Sequence, residues 1–396
     1  MNPQIILLSN NGVSDNNIAR LLDFMGIEYV YAMNFEMLLH CIDSGMKCLA
    51  SSFNAFVEYK KMEEKLYERL SSVLLYGVDS AKMPTSATVE ISDQCRDICR
   101  EFSGLSFTAR SNFVPTATEG SIDSQKLISI NSEPLFSLKQ MGNCRVFFLS
   151  TGIVDIQQAI PEQLVGSDYF IQVVPISMFL RYISPGCFNG DGNRYACLII
   201  DDPLLRTNYG FLNYYKLLDL MDAHNIFATI AFIPWNYNRT DKNIADLIKK
   251  RVDRFRLCVH GCDHTRGEFG KGDGKYLDNK IRLATARMIE HERKTGIQFD
   301  RVMVFPQGIF STESMEALGK NNYLAAVNTA SIPINSSRYL NIADYMESSI
   351  NKYADFPLFI RNKPNNLINF AFDLFWGKPV FIVIHHNDLK DGYENL

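Results

Sequence analysis

The sequence predicts two α/β domains: a flavodoxin-like or Rossmann-like sheet over residues 1–190 and a distorted seven-stranded (β/α) barrel over residues 191–396. Three observations support this prediction. The chain has 396 residues, more than one ordinary core at roughly 100–200 residues a domain. Short apolar runs alternate with helix-like stretches in both halves, which is typical of parallel α/β layers. The segment SPGCFNGDGN at 184–193 has one proline and three glycines, as expected at a domain boundary.

In the first half, the apolar runs and the helical patterns follow one another closely. Strands are predicted at 4–8, 29–32, 48–51 and 72–76, and helices at 16–25 and 35–42. Between residues 127 and 150 the pattern changes to β-rich runs separated by a Gly-Asn turn, which is typical of a hairpin. We therefore expect a parallel sheet with an antiparallel addition.

The second half contains seven strand-like runs. They lie at 196–200, 226–233, 255–259, 301–305, 323–327, 356–360 and 380–384. Helical patterns, such as those at 212–223 and 276–294, fill most of the intervals. Repeated strand–helix units of this kind fit a parallel barrel with one strand fewer than the usual eight.

Composition and charge exclude several classes of function. The chain has 40 basic and 44 acidic residues and no dense Lys/Arg stripe, so nucleic acid is not an expected partner. The start lacks a positive region, and no apolar run reaches the ~18 residues of a membrane helix. Nine cysteines without a framework spacing predict reduced thiols, and hence a cytoplasmic protein.

Chemically active side chains follow four of the predicted barrel strands. In a parallel barrel the carboxyl ends of the strands lie at one rim, and the functional residues lie at that rim. The groups at these ends are Asp201-Asp202, His260 with His264, Pro306-Gln307-Gly308, and His385-His386.

Two of these strand ends predict a metal site. Histidines four residues apart can face the same way, and a nearby carboxylate completes a three-ligand site with positions left for water. A second, unligated carboxylate beside the metal can take a proton from that water. The aspartate pair therefore divides into a metal ligand and a base.

Four motifs in this half resemble those of the polysaccharide deacetylases of carbohydrate esterase family four, which fold as distorted seven-stranded barrels. They are IIDDP at 199–203, HGCDH at 260–264, FPQG at 305–308 and VIHH at 383–386. The resemblance covers about residues 195–390 and implies an activity, a metal and a set of roles.

The resemblance implies that Asp202, His260 and His264 bind one divalent ion, zinc or else cobalt, nickel, iron or manganese. It also implies that Asp201 is the catalytic base and that His385 is the general acid. The neighbouring His386 remains an alternative, because alternation along a strand turns one of the two inward.

Two further groups are candidates at the rim. The resemblance implies that the loop of Pro306, Gln307 and Gly308 steadies an oxyanion through a backbone N–H. Trp235 and Tyr237, after the second barrel strand, are candidate substrate contacts that stack on a sugar, or they simply cover the rim.

The motifs also depart from the family pattern. Pro203 replaces a glycine, Gly261 replaces Ser or Thr, and Phe305 replaces the arginine that usually orients the base. Three arginines are candidates for that missing role, and the sequence does not choose among Arg206, Arg301 and Arg361.

The first domain has no comparable set of residues. SNNGVSDNN has a single glycine and does not form a phosphate loop, and LLYGVD lacks a nucleophile. The domain loosely resembles glutamine-amidotransferase-like sheets without their nucleophile. We expect an accessory domain for binding, docking or contacts in a homo-oligomer.

The expected function is hydrolysis of an N-acetyl or O-acetyl group from a saccharide by metal-activated water. Two alternatives stay open. The same chemistry can act on a non-sugar amide. The barrel can also serve as a catalytically weak carbohydrate-binding module.

Overall fold

The structure is a computed structural model that describes residues 5–9, 13–59, 63–77, 80–81, 85–111, 114–115, 123–160, 166–188 and 194–393. It contains an open nine-stranded sheet and a closed seven-stranded barrel. The predicted fold class is therefore confirmed. The center of the predicted boundary, at 189–193, lies outside the described residues, as do parts of SNNGVSDNN and LLYGVD.

The first half contains twelve described strands and five described helices. The strands are β1 (Ile5–Leu8), β2 (Tyr29–Ala32), β3 (Cys48–Ser52), β4 (Ser72–Tyr76), β5 (Ser80–Ala81), β6 (Thr85–Ile91), β7 (Ser106–Ser111), β8 (Val114–Pro115), β9 (Gln125–Ile130), β10 (Glu133–Met141), β11 (Cys144–Leu149) and β12 (Ala159–Ile160). The helices are α1 (Val13–Met25), α2 (Phe35–Asp43), α3 (Phe53–Val57), α4 (Glu63–Arg69) and α5 (Gly166–Ile183).

The large sheet has a parallel part and an antiparallel part. Its order is β2-β1-β3-β4-β11-β10-β9-β6-β7. The first five strands pair in parallel, and the remaining four add in antiparallel fashion. β10 and β11 meet across a turn in which Gly142 has φ +58°, a left-handed conformation suited to glycine. This is the predicted hairpin.

The second half contains ten described strands and six described helices. The strands are β13 (Ala196–Asp201), β14 (Asn208–Tyr209), β15 (Leu212–Asn213), β16 (Ala228–Phe232), β17 (Phe255–His260), β18 (Val302–Val304), β19 (Ala325–Asn328), β20 (Leu340–Asn341), β21 (Leu358–Asn362) and β22 (Val380–His385). The helices are α6 (Tyr214–His224), α7 (Lys242–Lys250), α8 (Gly274–Thr295), α9 (Thr312–Lys320), α10 (Ile342–Met346) and α11 (Leu367–Phe375).

The barrel is formed by parallel strands in the order β13-β16-β17-β18-β19-β21-β22. β22 pairs with β13 and closes it, with Asp201 opposite His385 in the register. Each of the seven predicted apolar runs overlaps one barrel strand. Because all seven strands run the same way, their carboxyl ends meet at one rim.

Helix α5 packs between the sheet and the barrel. Phe102 contacts Phe170 of α5 at 4.8 Å and Phe375 of α11 at 5.5 Å between ring centroids. The side chain of Glu101 is 1% exposed and pairs with both Arg181 and Arg194. The apolar core is thus continuous between the halves, and the division of domains at residue 190 stays a prediction.

The cysteines and the helices each have one further property. All nine cysteines lie among the described residues, and all are free thiols. No helix in the described part of the chain is both long and apolar enough to cross a membrane.

Candidate metal and catalytic site

Three predicted ligands converge at the carboxyl rim of the barrel. His260 is the last residue of β17, His264 follows four residues later, and Asp202 follows the end of β13. Nε2 of His260 and Nε2 of His264 each lie 3.0 Å from Oδ1 of Asp202. Asp202 and His264 have left-handed φ values of +75° and +58°, so the backbone turns sharply at each of them.

The orientation of His260 shows why this cluster suits a cation. Its Nδ1 lies 3.0 Å from the carbonyl oxygen of Val304, and a carbonyl only accepts, so Nδ1 carries the proton. In the neutral ring Nε2 is then a bare acceptor, yet it faces the carboxylate oxygen of Asp202. Two acceptors 3.0 Å apart repel each other unless a proton or a metal ion lies between them. The three ligand atoms lie within 4.8 Å of one another, which fits one divalent ion.

The same arrangement changes the acidity of two ligands. Burial raises the pKa of Asp202, but the imidazoles of His260 and His264 outweigh it and hold the pKa well below its ordinary value. Asp202 in turn raises the pKa of His264 against the effect of partial burial. The carboxylate is therefore ionised and ready to bind a cation.

The adjacent aspartate, Asp201, forms a buried ion pair with Arg361 of β21. Nη1 and Nη2 of Arg361 donate to the two carboxylate oxygens at 2.6 and 2.7 Å, and both side chains are less than 5% exposed. Of the three candidate arginines, Arg361 thus holds Asp201. Arg301 instead donates to the carbonyl of Asn321. Arg206 is exposed.

The two histidines at the end of β22 point in different directions. His385 lies opposite Asp201 in the register, with its Nε2 3.7 Å from Oδ2 of Asp201. His386 packs against the ring of Tyr209 at 4.9 Å and lies over Gly210, where a Cβ would meet its Nδ1 at 2.1 Å. His385 therefore faces the site, and His386 supports the hairpin of β14 and β15.

The Pro306–Gly308 segment forms a short turn after β18 at the same rim. Gln307 has φ +53°, and its Oε1 accepts from the backbone N–H of Gly267 at 3.4 Å. Asn328, buried at the end of β19, donates to the carbonyl of Gly308 at 2.9 Å. The turn is therefore held from two sides.

The two candidate substrate contacts lie in different places. Trp235 is 58% exposed. Its backbone N–H donates to the carbonyl of Cys262 in the loop of residues 260–264, here called the metal-ligand loop. The guanidinium of Arg287 lies 5.0 Å from its ring centroid. Tyr237 instead lines a groove of about 410 Å³ along α7, beneath the amino group of Lys294. Trp235 is thus beside the metal site, whereas Tyr237 lies in the side groove.

Some residues of the site are hard to find from sequence. Arg361 was one of three candidates because nothing in its local pattern marks it. Glu268 and Asn328, which hold the two rim loops, belong to none of the motifs. The only local signal for Glu268 is its position four residues after His264, which would be ordinary in any loop.

Similarity to known proteins is found among solved structures. No family model and no curated protein matches the chain. Among solved structures, the Xyl-CE4 domain of a multidomain xylanase from the hindgut metagenome of Trinervitermes trinervoides is 14% identical, with a TM-score of 0.26, over 50% of this chain and 91% of that one. A family 4 acetyl xylan esterase from Clostridium thermocellum in complex with a cobalt ion is 16% identical, with a TM-score of 0.26, over 50% and 91%.

A CE4 family pseudoenzyme from Bacillus anthracis is 13% identical, with a TM-score of 0.28, over 49% of this chain and 70% of that one. The expected resemblance to carbohydrate esterase family four, over about half of the chain, is confirmed. At these identities and TM-scores, function has to be derived from the residues of the site itself.

Proposed function

We propose that the barrel is a metal-dependent hydrolase that removes an N-acetyl or O-acetyl group from a saccharide. One observation carries the proposal: Asp202, His260 and His264 meet around one point, beside a carboxylate that Arg361 holds in place. A three-ligand site with an adjacent unligated carboxylate is the arrangement that hydrolysis by activated water requires.

Each group near the ligands has a chemical task in this proposal. A divalent ion bound by the three ligands would polarise the acyl carbonyl and make water a better nucleophile. Asp201 accepts the proton of that water, because each of its oxygens keeps a lone pair beyond those used by Arg361. His385 has a side chain 47% exposed and can protonate the leaving amine or alcohol. The turn at Gln307 donates a backbone N–H to the developing oxyanion.

The donor set indicates which ion binds. Two imidazole nitrogens and one carboxylate oxygen suit zinc, and they also accept cobalt, nickel, iron or manganese. We propose zinc as the resident ion. The substrate is an acetylated saccharide, and Trp235 offers one exposed aromatic face to it.

The cellular setting follows from the thiols. Nine free cysteines, most of them buried, suit a reducing compartment, and we propose the cytoplasm. The first domain serves as an accessory domain, and its role in a homo-oligomer stays a prediction.

The metal is tested first. Purified protein should contain about one divalent ion per chain. D202A and H260A should each remove it while the protein stays folded. A wild-type protein that takes up no ion after dialysis against zinc would overturn the proposal.

Activity is tested with a panel of acetylated saccharides, with release of acetate as the readout. D201N should lower kcat by roughly 10²–10⁴ while the ion is retained, since it removes only the base. D219N, which changes an exposed carboxylate on α6, is the matched control and should leave kcat unchanged. Release from simple acetamides but not from sugars would favour a non-sugar amide. Sugar binding without any release would favour a carbohydrate-binding module.

A further inference from the structure

A buried carboxylate that the proposed reaction does not use lies beneath the metal-ligand loop. The side chain of Glu268 is 1% exposed. Its Oε1 accepts from the backbone N–H groups of Cys262 and His264, at 2.9 and 3.2 Å. Its Oε2 accepts from the backbone N–H of Asp263 at 3.1 Å. Three successive N–H groups of the loop between the two histidine ligands therefore converge on one side chain.

The backbone of this loop is shaped around the carboxylate. Successive N–H groups pointing into one concavity form a site for an anion, which here is an internal one. Gly261 has φ +65°, and a Cβ at this position would lie 2.2 Å from Oε1 of Glu268. His264 also has a left-handed φ, +58°, which is unfavourable for a residue other than glycine. The hydrogen bonds to Glu268 offset that cost.

A network of charges surrounds the same loop. Lys280 of α8 lies 3.3 Å from Oε2 of Glu268 and 2.8 Å from Oδ2 of Asp263. Arg287, about two turns further along the same face of α8, pairs with the other oxygen of Asp263. These cations offset the cost of burying Glu268 and tie the loop to the longest helix of the barrel.

We propose that Glu268 is a positioning residue for the metal centre: it holds the loop in the one conformation that brings Nε2 of His264 to Asp202 and His260. When the carboxylate is lost, the loop relaxes, His264 moves away, and two ligands remain in place. The inference rests on the proposed metal site, and it adds a residue that touches neither the ion nor the substrate.

The test uses cobalt as the probe, because its visible spectrum reports the number and geometry of its ligands. E268Q keeps the size of the side chain but turns an amide NH₂ toward backbone donors. We expect E268Q to bind Co²⁺ about 10–100-fold more weakly than wild type, with weaker visible bands from a changed geometry. E290Q changes a partly exposed carboxylate of α8 that pairs with Arg293, and it should match wild type in both readouts.

Folding is measured separately from metal binding. Circular dichroism and thermal melting identify a temperature at which both proteins are fully folded, and the cobalt titration is carried out there. A folded E268Q with wild-type affinity and spectrum would overturn the inference while leaving the proposed function intact. A wild type that binds no Co²⁺ would instead overturn the proposed function.

A second variant reaches the same contact from the other side. G261A places a methyl group 2.2 Å from Oε1 of Glu268 and 2.4 Å from Cγ of Pro306, so it displaces the carboxylate and also presses on the neighbouring turn. It should weaken Co²⁺ binding at least as much as E268Q, because it displaces the same carboxylate and adds the contact with Pro306. If E268Q fails to fold, G261A decides the question, and wild-type cobalt affinity in this variant would overturn the inference.

Discussion

The parallel part of the N-terminal sheet and the barrel are built alike and differ at the carboxyl ends of their strands. In the sheet, β1 is followed by Ser9 and β3 ends at Ser52. The hydroxyl of Ser52 accepts from the backbone N–H of Ala55 and so begins helix α3. In the barrel, β13 and β17 end at Asp201 and His260, which lie at the candidate site. The described strand end at Ser52 thus begins a helix, whereas the ends of β13 and β17 meet at the candidate site.

One ion pair from each region shows how burial changes the effect of a charge. In the sheet region, Arg69 and Asp43 pair at the surface, where water screens them. In the barrel, Arg361 and Asp201 pair in the interior. A buried ion pair adds little net stability, because taking both charges out of water costs free energy. Removing one partner nevertheless destabilises the protein strongly, because the other charge is left buried and unpaired. Three predictions use this contrast.

The largest effect is expected from breaking the buried pair. R361M leaves the Asp201 carboxylate without a partner inside the barrel, and we expect a loss of about 3–5 kcal/mol in the free energy of unfolding. Acetate release should also fall, because the base is no longer oriented. Denaturant unfolding monitored by circular dichroism measures the loss.

Two controls sharpen the result. R69M, which breaks the exposed pair of the sheet region, should cost less than about 1 kcal/mol. The double variant D201L/R361M should recover much of the stability without recovering activity, since no lone charge is then buried. Equal losses in R361M and R69M would contradict the contrast between the regions.

An effect of intermediate size on the free energy of unfolding is expected from pH, through the buried His291 of the barrel. Burial lowers the pKa of His291 to about 4, and its Nε2 lies 2.9 Å from the hydroxyl of Thr240. The folded-state pKa is depressed, so this contribution to stability is present above pH ~6.5 and is lost as the pH falls toward 4. Between pH 7 and pH 5 the loss amounts to about 2 kcal/mol.

The variant H291Q should remove this dependence. The drop in unfolding free energy from pH 7 to pH 5, measured in urea, should be about 2 kcal/mol smaller in H291Q than in wild type. T285S, on the same helix and without a titratable group, should keep the wild-type drop. An H291Q protein with the full wild-type drop would show that His291 does not carry the effect.

The smallest effect is expected at helix starts, where the regions should behave alike. Asn34 caps α2 of the sheet region through Met37 N–H at 2.9 Å, and Asp273 caps α8 of the barrel through Tyr276 N–H at 2.8 Å. N34A and D273A should each cost about 1 kcal/mol. Thermal melting measures both, and acetate release should be retained in both. A much larger cost in one region would mean that its cap does more than satisfy a helix end.

Much of the fold could be predicted from local patterns. The run at 72–76 coincides with β4, and the Gly-Asn turn with the hairpin of β10 and β11. The three candidate metal ligands could also be predicted, because they lie in motifs that follow apolar runs and the rule that places strand ends on one rim is general. Strand and turn preferences act over a few residues, so short segments of the sequence are enough to predict them.

Other features were decided only by the tertiary structure. Arg361 lies 160 residues after Asp201, and only the closure of the barrel brings them together in preference to Arg206 or Arg301. The register between β22 and β13 is what places His385, and not His386, beside Asp201. The contacts of Glu268 also depend on the fold, because only the folded loop brings three backbone N–H groups to its carboxylate. By itself the sequence determined the elements and the ligand types. The partners depended on how distant segments pack, because an ion pair, a register or a backbone concavity has no local signature.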